Sequence, residues 1–82
     1  MAKDQAKGVE IWPSAYKHGI SAEQIRHVAA HPMRIFETDN AMIMIIGGDP
    51  AANILEVGIG RSGAVVHAMP ARKKFLKQLG KQ

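Results

Sequence analysis

Two apolar runs joined by a glycine-rich turn occupy residues 53–69, "NILEVGIGRSGAVVHAM". Each run has the length and the Val and Ile content of a β-strand, and "GRSG" has the composition of a turn. The stretch therefore predicts a β-hairpin.

Upstream of it, "RIFETD" alternates apolar and polar residues, Asp39-Asn40 is a turn pair, and "AMIMII" is continuously apolar. This pattern predicts a second hairpin whose second strand is central in an antiparallel meander.

Helical segments are expected on the N-terminal side of the meander. "GVEIW", residues 8–12, predicts a short strand, and "PSAYKHG" after it predicts one helical turn that Gly19 stops. Ser21 and Gln24 have the spacing of a capping box, and the apolar residues after them fall on one helix face. Pro32 ends this run. We expect a short amphipathic helix over it.

A basic helix is expected at the C-terminal end. Pro70 is placed at a first helical position ahead of "ARKKFLKQL", and Gly80 stands where a C-cap belongs. The predicted order is β-α-α-β-β-β-β-α, an α+β fold with an antiparallel sheet packed by helices. Eighty-two residues form one domain, residues 1–82.

The composition narrows the class of protein. The chain has no cysteine, which excludes a disulfide framework and favours a reducing compartment. The first ten residues, "MAKDQAKGVE", are charged, and no stretch approaches the roughly 20 apolar residues of a membrane span. We expect a soluble, cytoplasmic protein without a membrane partner and without a cofactor.

The basic charge is concentrated at the C-terminus. The formal net charge is +4, yet residues 35–66 carry four acids and one arginine. The last sixteen residues carry no acid and five basic side chains: Arg72, Lys73, Lys74, Lys77 and Lys81. Such a segment attracts a polyanion such as nucleic acid, or an acidic protein. The alternative interpretation is a solvated, lysine-rich last helix.

Two motifs do not carry the function that their spacing suggests. Gly58, Gly60 and Gly63 spell G-x-G-x-x-G, but they lie between two predicted strands, and no acidic residue follows them. We expect these glycines to serve the hairpin turn.

His27 and His31 have the i, i+4 spacing of metal ligands, but no H-E-x-x-H glutamate accompanies them. We expect no metal site.

The remaining candidates suit chemistry on RNA. Cleavage without a metal needs a base for the 2′-hydroxyl, cations for the phosphate and an acid for the leaving oxygen. His67 stands in an apolar strand with Val65 and Met69 as alternate neighbours, so it is either a hydrogen-bonded sheet histidine or a functional one. A strand end followed by a helix N-terminus suits a phosphate, so we expect His67 and Arg72 to flank an anion site.

The chain resembles a known family over nearly its whole length. "VEIWPSAYKHGISAEQIRHV", with its Lys17-His18-Gly19, and "MIMIIG" followed by "NILEVGIGRSGAVVHAMPAR" are similar to BrnT-type toxins. These are RelE-superfamily ribonucleases of type II toxin-antitoxin systems. The resemblance implies a metal-independent endoribonuclease that blocks translation and is silenced by a cognate antitoxin. Where the family's last strand leads into Ser, Ala and Arg, this chain has His67, Ala68 and Met69.

Each candidate residue has an expected role in RNA cleavage or RNA binding. His67 is base or acid, Arg72 and Arg34 stabilise charge on the phosphate, and Lys17 and His18 form a second cationic wall. The expected RNA contacts are Arg61, Lys73, Lys74, Lys77 and Lys81. The enzyme hypothesis requires His18 and His67 to lie close together, and either could be the catalytic one. The alternative is a non-catalytic module that binds nucleic acid or an acidic partner through its last helix. A homodimer and a toxin-antitoxin hetero-oligomer are both open.

Overall fold

The computed structural model describes residues 9–80. Its core element is one antiparallel sheet with strand order β1-β2-β3-β4. The strands are β1 (Arg34–Glu37), β2 (Ile43–Gly48), β3 (Ile54–Ile59) and β4 (Val65–Pro70). The helices are a 3₁₀ helix (Pro13–Tyr16), α1 (Ala22–Ala30), α2 (Lys73–Leu76) and a last 3₁₀ helix (Lys77–Gly80). The predicted α+β class, with an antiparallel sheet and helices, is confirmed; the sheet has four strands, whereas the sequence predicted five.

Both predicted hairpins form, and each is closed by a backbone hydrogen bond within its turn. In the β1–β2 turn the Ala41 N–H donates to the Thr38 carbonyl over 3.0 Å, with Ala41 in the left-handed region at φ 63°. In the β3–β4 turn Gly63 has φ 91°, which favours glycine, and its N–H donates to Gly60 over 2.9 Å. The G-x-G-x-x-G glycines therefore belong to a hairpin, as predicted.

The two ends of the chain differ from the predicted order. Residues 9–12 form a single parallel bridge, Ile11 to Val65, instead of the strand expected over residues 8–12, of which Gly8 lies outside the described residues. Pro70 is the last residue of β4 instead of the first helical one. The helix begins only at Lys73, because Arg72 still has extended backbone. The α-helical part is four residues long before the last 3₁₀ turn.

Helix α1 packs on one face of the sheet. The capping box is present: Gln24 N–H donates to Ser21 Oγ over 3.1 Å, and Ser21 N–H donates to Gln24 Oε1 over 2.8 Å. Burial of Ile25 and Val28, each fully inaccessible, holds the helix to the strands. The buried core on this face comprises Ala15, Ile20, Ile25, Val28, Ile45, Leu55, Val57, Val65 and Ala68.

The opposite face of the sheet carries the polar site. Cross-strand pairing places Phe36, Met44, Gly58 and His67 in one row across the four strands. Helix α2 lies over this face, where the ring of Phe75 is 5.5 Å from that of Phe36. Within residues 9–80, no helix has the length and apolar character needed to cross a bilayer.

Candidate functional site

A buried carboxylate lies at the centre of the candidate site. Glu56, on β3, is fully inaccessible. Its Oε2 lies 2.8 Å from His67 Nε2 and 2.6 Å from Arg72 Nη2, and Oε1 accepts the Arg72 backbone N–H over 2.9 Å. The Arg72 Nε also donates to the carboxylate, at 3.1 and 3.2 Å. Glu56 therefore holds β4 and the start of α2 together.

Sequence analysis missed Glu56, although the chain carries a signal for it. The residue is the one acid within the apolar run "NILEVGI". A carboxylate buried in such a strand is costly unless a cation and hydrogen-bond donors accompany it. The downstream residues that could supply those donors include Arg61, His67 and Arg72, and the structure places His67 and Arg72 on Glu56.

The surroundings fix the protonation state of the cluster. Burial alone would raise the pKa of Glu56, but hydrogen bonds from Arg72 and His67 outweigh it and hold that pKa below its ordinary value. The hydrogen bond to Glu56 in turn raises the pKa of Arg72. An ionised carboxylate only accepts hydrogen bonds, so His67 Nε2 carries the proton. A neutral His67 therefore has its lone pair on Nδ1.

His67 and Arg72 do flank an anion, but it is not the open phosphate site expected from the sequence. The anion between them is the side chain of Glu56. The N–H at the start of α2, expected to bind phosphate, donates to Glu56 instead. What remains for a ligand is the exposed part of the Arg72 side chain, 44% accessible, and the Nδ1 edge of His67, whose side chain is 23% accessible.

The structure brings His18 to His67. Their ring centroids are 6.1 Å apart, in an edge-to-face arrangement. The Ser14 hydroxyl donates to the Val66 carbonyl over 2.7 Å and fastens the first 3₁₀ helix to β4. Gly19, at φ 82°, then turns the chain, and both residues before it, Lys17 and His18, are exposed. Of the two, His18 is the one whose ring lies near the cluster.

Gly58 leaves room for the side chains of Met42 and His67. It pairs with His67 across β3 and β4, and a Cβ atom at position 58 would collide with Met42 Sδ and lie 3.2 Å from the Cβ of His67. A side chain there would displace Met42 first and crowd His67 as well. Gly58 is thus required by a close approach, whereas Gly63 of the same motif is required by its positive φ.

An open groove of about 480 Å³ runs from the cluster to the β1–β2 turn. Its lining includes the basic side chains of His67, Arg72 and Lys74 and, from the β1–β2 turn, residues 37–40, which include two carboxylates. Aromatic and thioether side chains complete the lining: Phe36, Phe75, Met42 and Met44. Two cations of this lining lie near the ring of Phe75, with Arg72 Cζ 5.2 Å and Lys74 Nζ 5.0 Å from its centroid.

The other candidate residues lie away from this groove. Arg34 is on β1, on the same sheet face as His67 but three strands away, about 14 Å at the usual strand spacing. Arg61 is exposed in the β3–β4 turn. Lys73 and Lys77 are exposed on the last helical segment and do not line the groove, whereas Lys81 lies outside the described residues.

No protein-family model, curated protein or solved structure matches the chain. The site itself offers an imidazole and a guanidinium that both contact one carboxylate, beside an open groove. Within residues 9–80, no three or more His, Asp or Glu side chains are grouped as they are in metal sites with that many ligands.

Proposed function

We propose that this chain is the toxin of a type II toxin-antitoxin pair, a metal-independent endoribonuclease of the BrnT type that acts in the cytoplasm. The observation that carries the proposal is the 2.8 Å contact between Glu56 Oε2 and His67 Nε2. A carboxylate that holds an imidazole in one tautomer beside a groove is the arrangement of a general base. The sequence resemblance to BrnT-type toxins adds the biological class.

The chemistry follows from the orientation of His67. Its Nδ1 takes the proton of a ribose 2′-hydroxyl, and the resulting oxygen attacks the adjacent phosphorus. The bond from phosphorus to the 5′-oxygen breaks, which leaves a 2′,3′-cyclic phosphate and a 5′-hydroxyl. Glu56 stabilises the imidazolium that forms on His67. His18, 6.1 Å away between ring centroids, gives the leaving oxygen its proton.

The basic side chains of the groove supply the positive charge. Negative charge grows on the phosphate oxygens in the transition state, and cations placed beforehand stabilise it. Arg72 presents its exposed part, and Lys74 lines the same groove. Lys17, the exposed residue before His18, is proposed to add a further positive charge. Phe75 lines the same groove and has both cations near its ring; in the proposal a base stacks on this ring and displaces a cation from it.

A cognate antitoxin is the proposed partner, since an unrestrained ribonuclease would harm its own cell. The basic last segment, with Lys73, Lys74 and Lys77 exposed, suits an acidic antitoxin that covers the groove. Competition between RNA and the antitoxin for one basic surface would then silence the enzyme.

The test in cells is induction of the chain alone in a bacterium. Growth should stop and messenger RNA should lose its full length, and co-expression of the protein encoded beside it should restore growth. The control is the His67→Gln variant at equal abundance, which should not stop growth. Normal growth with intact RNA at a confirmed level of the wild-type protein would reject the toxin assignment.

The test in vitro separates cleavage from binding. His67→Gln keeps an N–H donor for Glu56 but has no base, so it should lower single-turnover cleavage by about 10²- to 10⁴-fold with RNA affinity nearly unchanged. His31→Ala, at the exposed C-cap residue of α1, is the matched control and should cleave normally. Binding of RNA without cleavage by the wild-type protein would favour the non-catalytic alternative.

A further inference from the structure

We propose that His27 and His31 bind one divalent transition-metal ion at the C-terminal end of α1. His27 lies in the last turn of the helix, and His31 is its C-cap residue. Side chains four residues apart lie on the same helix face. The two imidazole rings are neighbours, with centroids 4.6 Å apart and an interplanar angle of 32°.

Hydrogen bonds fix the tautomer of both rings. His27 Nδ1 lies 3.0 Å from the Gly48 carbonyl oxygen, and His31 Nδ1 lies 3.1 Å from the carbonyl oxygen of His27. A carbonyl oxygen only accepts, so each Nδ1 carries the proton and donates. Each neutral ring then has its lone pair on Nε2. Metal-binding histidines commonly have this arrangement, in which the second ring nitrogen donates to a backbone carbonyl and orients the ligand.

The fold holds the end of α1 in position for these contacts. A Cβ atom at Gly47 would lie 3.1 Å from the His31 carbonyl oxygen and 3.2 Å from Val28 Cγ1. The bare backbone of Gly47 lets the end of α1 lie close to β2, which brings His27 within reach of Gly48. The negative end of the helix dipole is also at this position, and it favours a bound cation.

The donor set selects the class of metal. Imidazole nitrogen suits Zn²⁺, Ni²⁺ and Cu²⁺, whereas Mg²⁺ and Ca²⁺ prefer oxygen ligands. Two protein ligands leave the remaining coordination positions to water. Because α1 covers the sheet face of Ile45 and Val57, the metal site lies across the sheet from the groove with His67. It is therefore independent of the proposed RNA chemistry.

The experiment is a calorimetric titration of tag-free, full-length protein with Zn²⁺ and with Ni²⁺. One ion should bind per chain, and His31→Ala should weaken the affinity by at least about tenfold because one of the two protein ligands is lost. His18→Ala, which removes another exposed imidazole, should bind like the wild type. Mg²⁺ should give no binding heat. Thermal unfolding of both variants checks that they are folded.

Nitrogen NMR of the histidine rings gives a second readout. In metal-free protein His27 and His31 should carry their proton on Nδ1, and Zn²⁺ should shift the Nε2 signals of these two rings. The proposal is overturned if His31→Ala binds as tightly as the wild type, if His18→Ala loses as much affinity, or if either ring carries its proton on Nε2. RNA cleavage plays no part in these measurements, so their failure would leave the proposed ribonuclease function untouched.

Discussion

Glu56 and His67 are diagonal neighbours on strands β3 and β4, with Oε2 of the carboxylate 2.8 Å from Nε2 of the imidazole. The same carboxylate accepts the backbone N–H and the guanidinium of Arg72. One fully buried group thus ties the last strand to the start of α2 and orients the imidazole beside the groove. Glu56 therefore contributes both to the stability of the fold and to the proposed chemistry. Variants are needed that distinguish these two contributions.

Glu56→Gln tests the structural part of this arrangement. Glutamine keeps the size of the side chain but loses the charge-assisted hydrogen bonds to Arg72 and His67, so the free energy of unfolding should fall by about 1.5–3 kcal/mol. Denaturant unfolding measures it. Glu37→Gln, an exposed carboxylate on β1, is the control and should change stability by less than about 0.5 kcal/mol. Equal stability of Glu56→Gln and the wild type would contradict the cluster.

The hairpins could be predicted from the sequence because their signals are local. Turn residues such as Asp39-Asn40 and the glycines at positions 60 and 63 act within a few residues of the strands they join. The capping box of Ser21 and Gln24 is equally local. Both hairpins and the helix formed in the predicted order, although β2 covers Ile43–Gly48 rather than residues 41–46.

The site depends on register, which local patterns do not give. Gly58 pairs with His67 and Ile59 with Val65, so Val66 is an extra residue, a β-bulge. Strict alternation of side chains along β4 predicts that Val65 and His67 lie on the same face of the sheet. Because of the bulge, Val65 is buried in the core and His67 lies on the opposite face. The bridge of Ile11 to Val65 likewise depends on a contact between distant parts of the chain.

Acid should destabilise the protein partly through Asp49. A hydrogen bond from Gln24, with others from Asn53 and Ala51, lowers the pKa of Asp49 from 3.8 to about 2 despite its burial. Asp49 therefore binds a proton more tightly in the unfolded chain than in the folded protein. Its ionised carboxylate stabilises the folded protein above pH 3.8, and this stabilisation is lost as the pH falls through about 2. Glu56, whose pKa is also lowered, acts in the same direction below its ordinary value of 4.5.

Asp49→Asn isolates this contribution. Asparagine keeps an oxygen acceptor for the N–H groups of Ala51 and Asn53 but does not titrate, so stability between pH 3.8 and about 2 should fall less steeply than in the wild type. Unfolding curves across that pH range measure it. Gln24→Ala, which removes the largest cause of the shift, should also flatten the profile. An unchanged acid profile in both variants would contradict the lowered pKa of Asp49.

Phe75 should contribute to the affinity for single-stranded RNA. Its ring lines the groove, with Arg72 and Lys74 near it, and loss of a base-stacking ring costs about 1–3 kcal/mol of binding free energy. Phe75→Leu keeps an apolar contact to Phe36 but removes the flat ring, so binding should weaken while thermal stability changes little. Leu76→Ala, on the same helix but outside the groove, is the control. Equal affinities for both variants would remove Phe75 from the binding surface.

The lysines of the last segment should add affinity without sequence preference. Each phosphate contact to a single strand that is lost lowers the slope of log affinity against log salt by about 0.7. Lys74→Gln, on the groove wall, should therefore flatten the slope by about that amount, and the triple change of Lys73, Lys74 and Lys77 to Gln should flatten it further for every RNA tested. Arg61→Gln removes the same charge from the exposed β3–β4 turn outside the groove, so it is the matched control and should alter the slope less. A salt series of RNA binding for the three variants and the wild type measures this. Equal slopes for the triple variant and the wild type would show that RNA does not contact this segment, which would then be left as a surface for an acidic antitoxin.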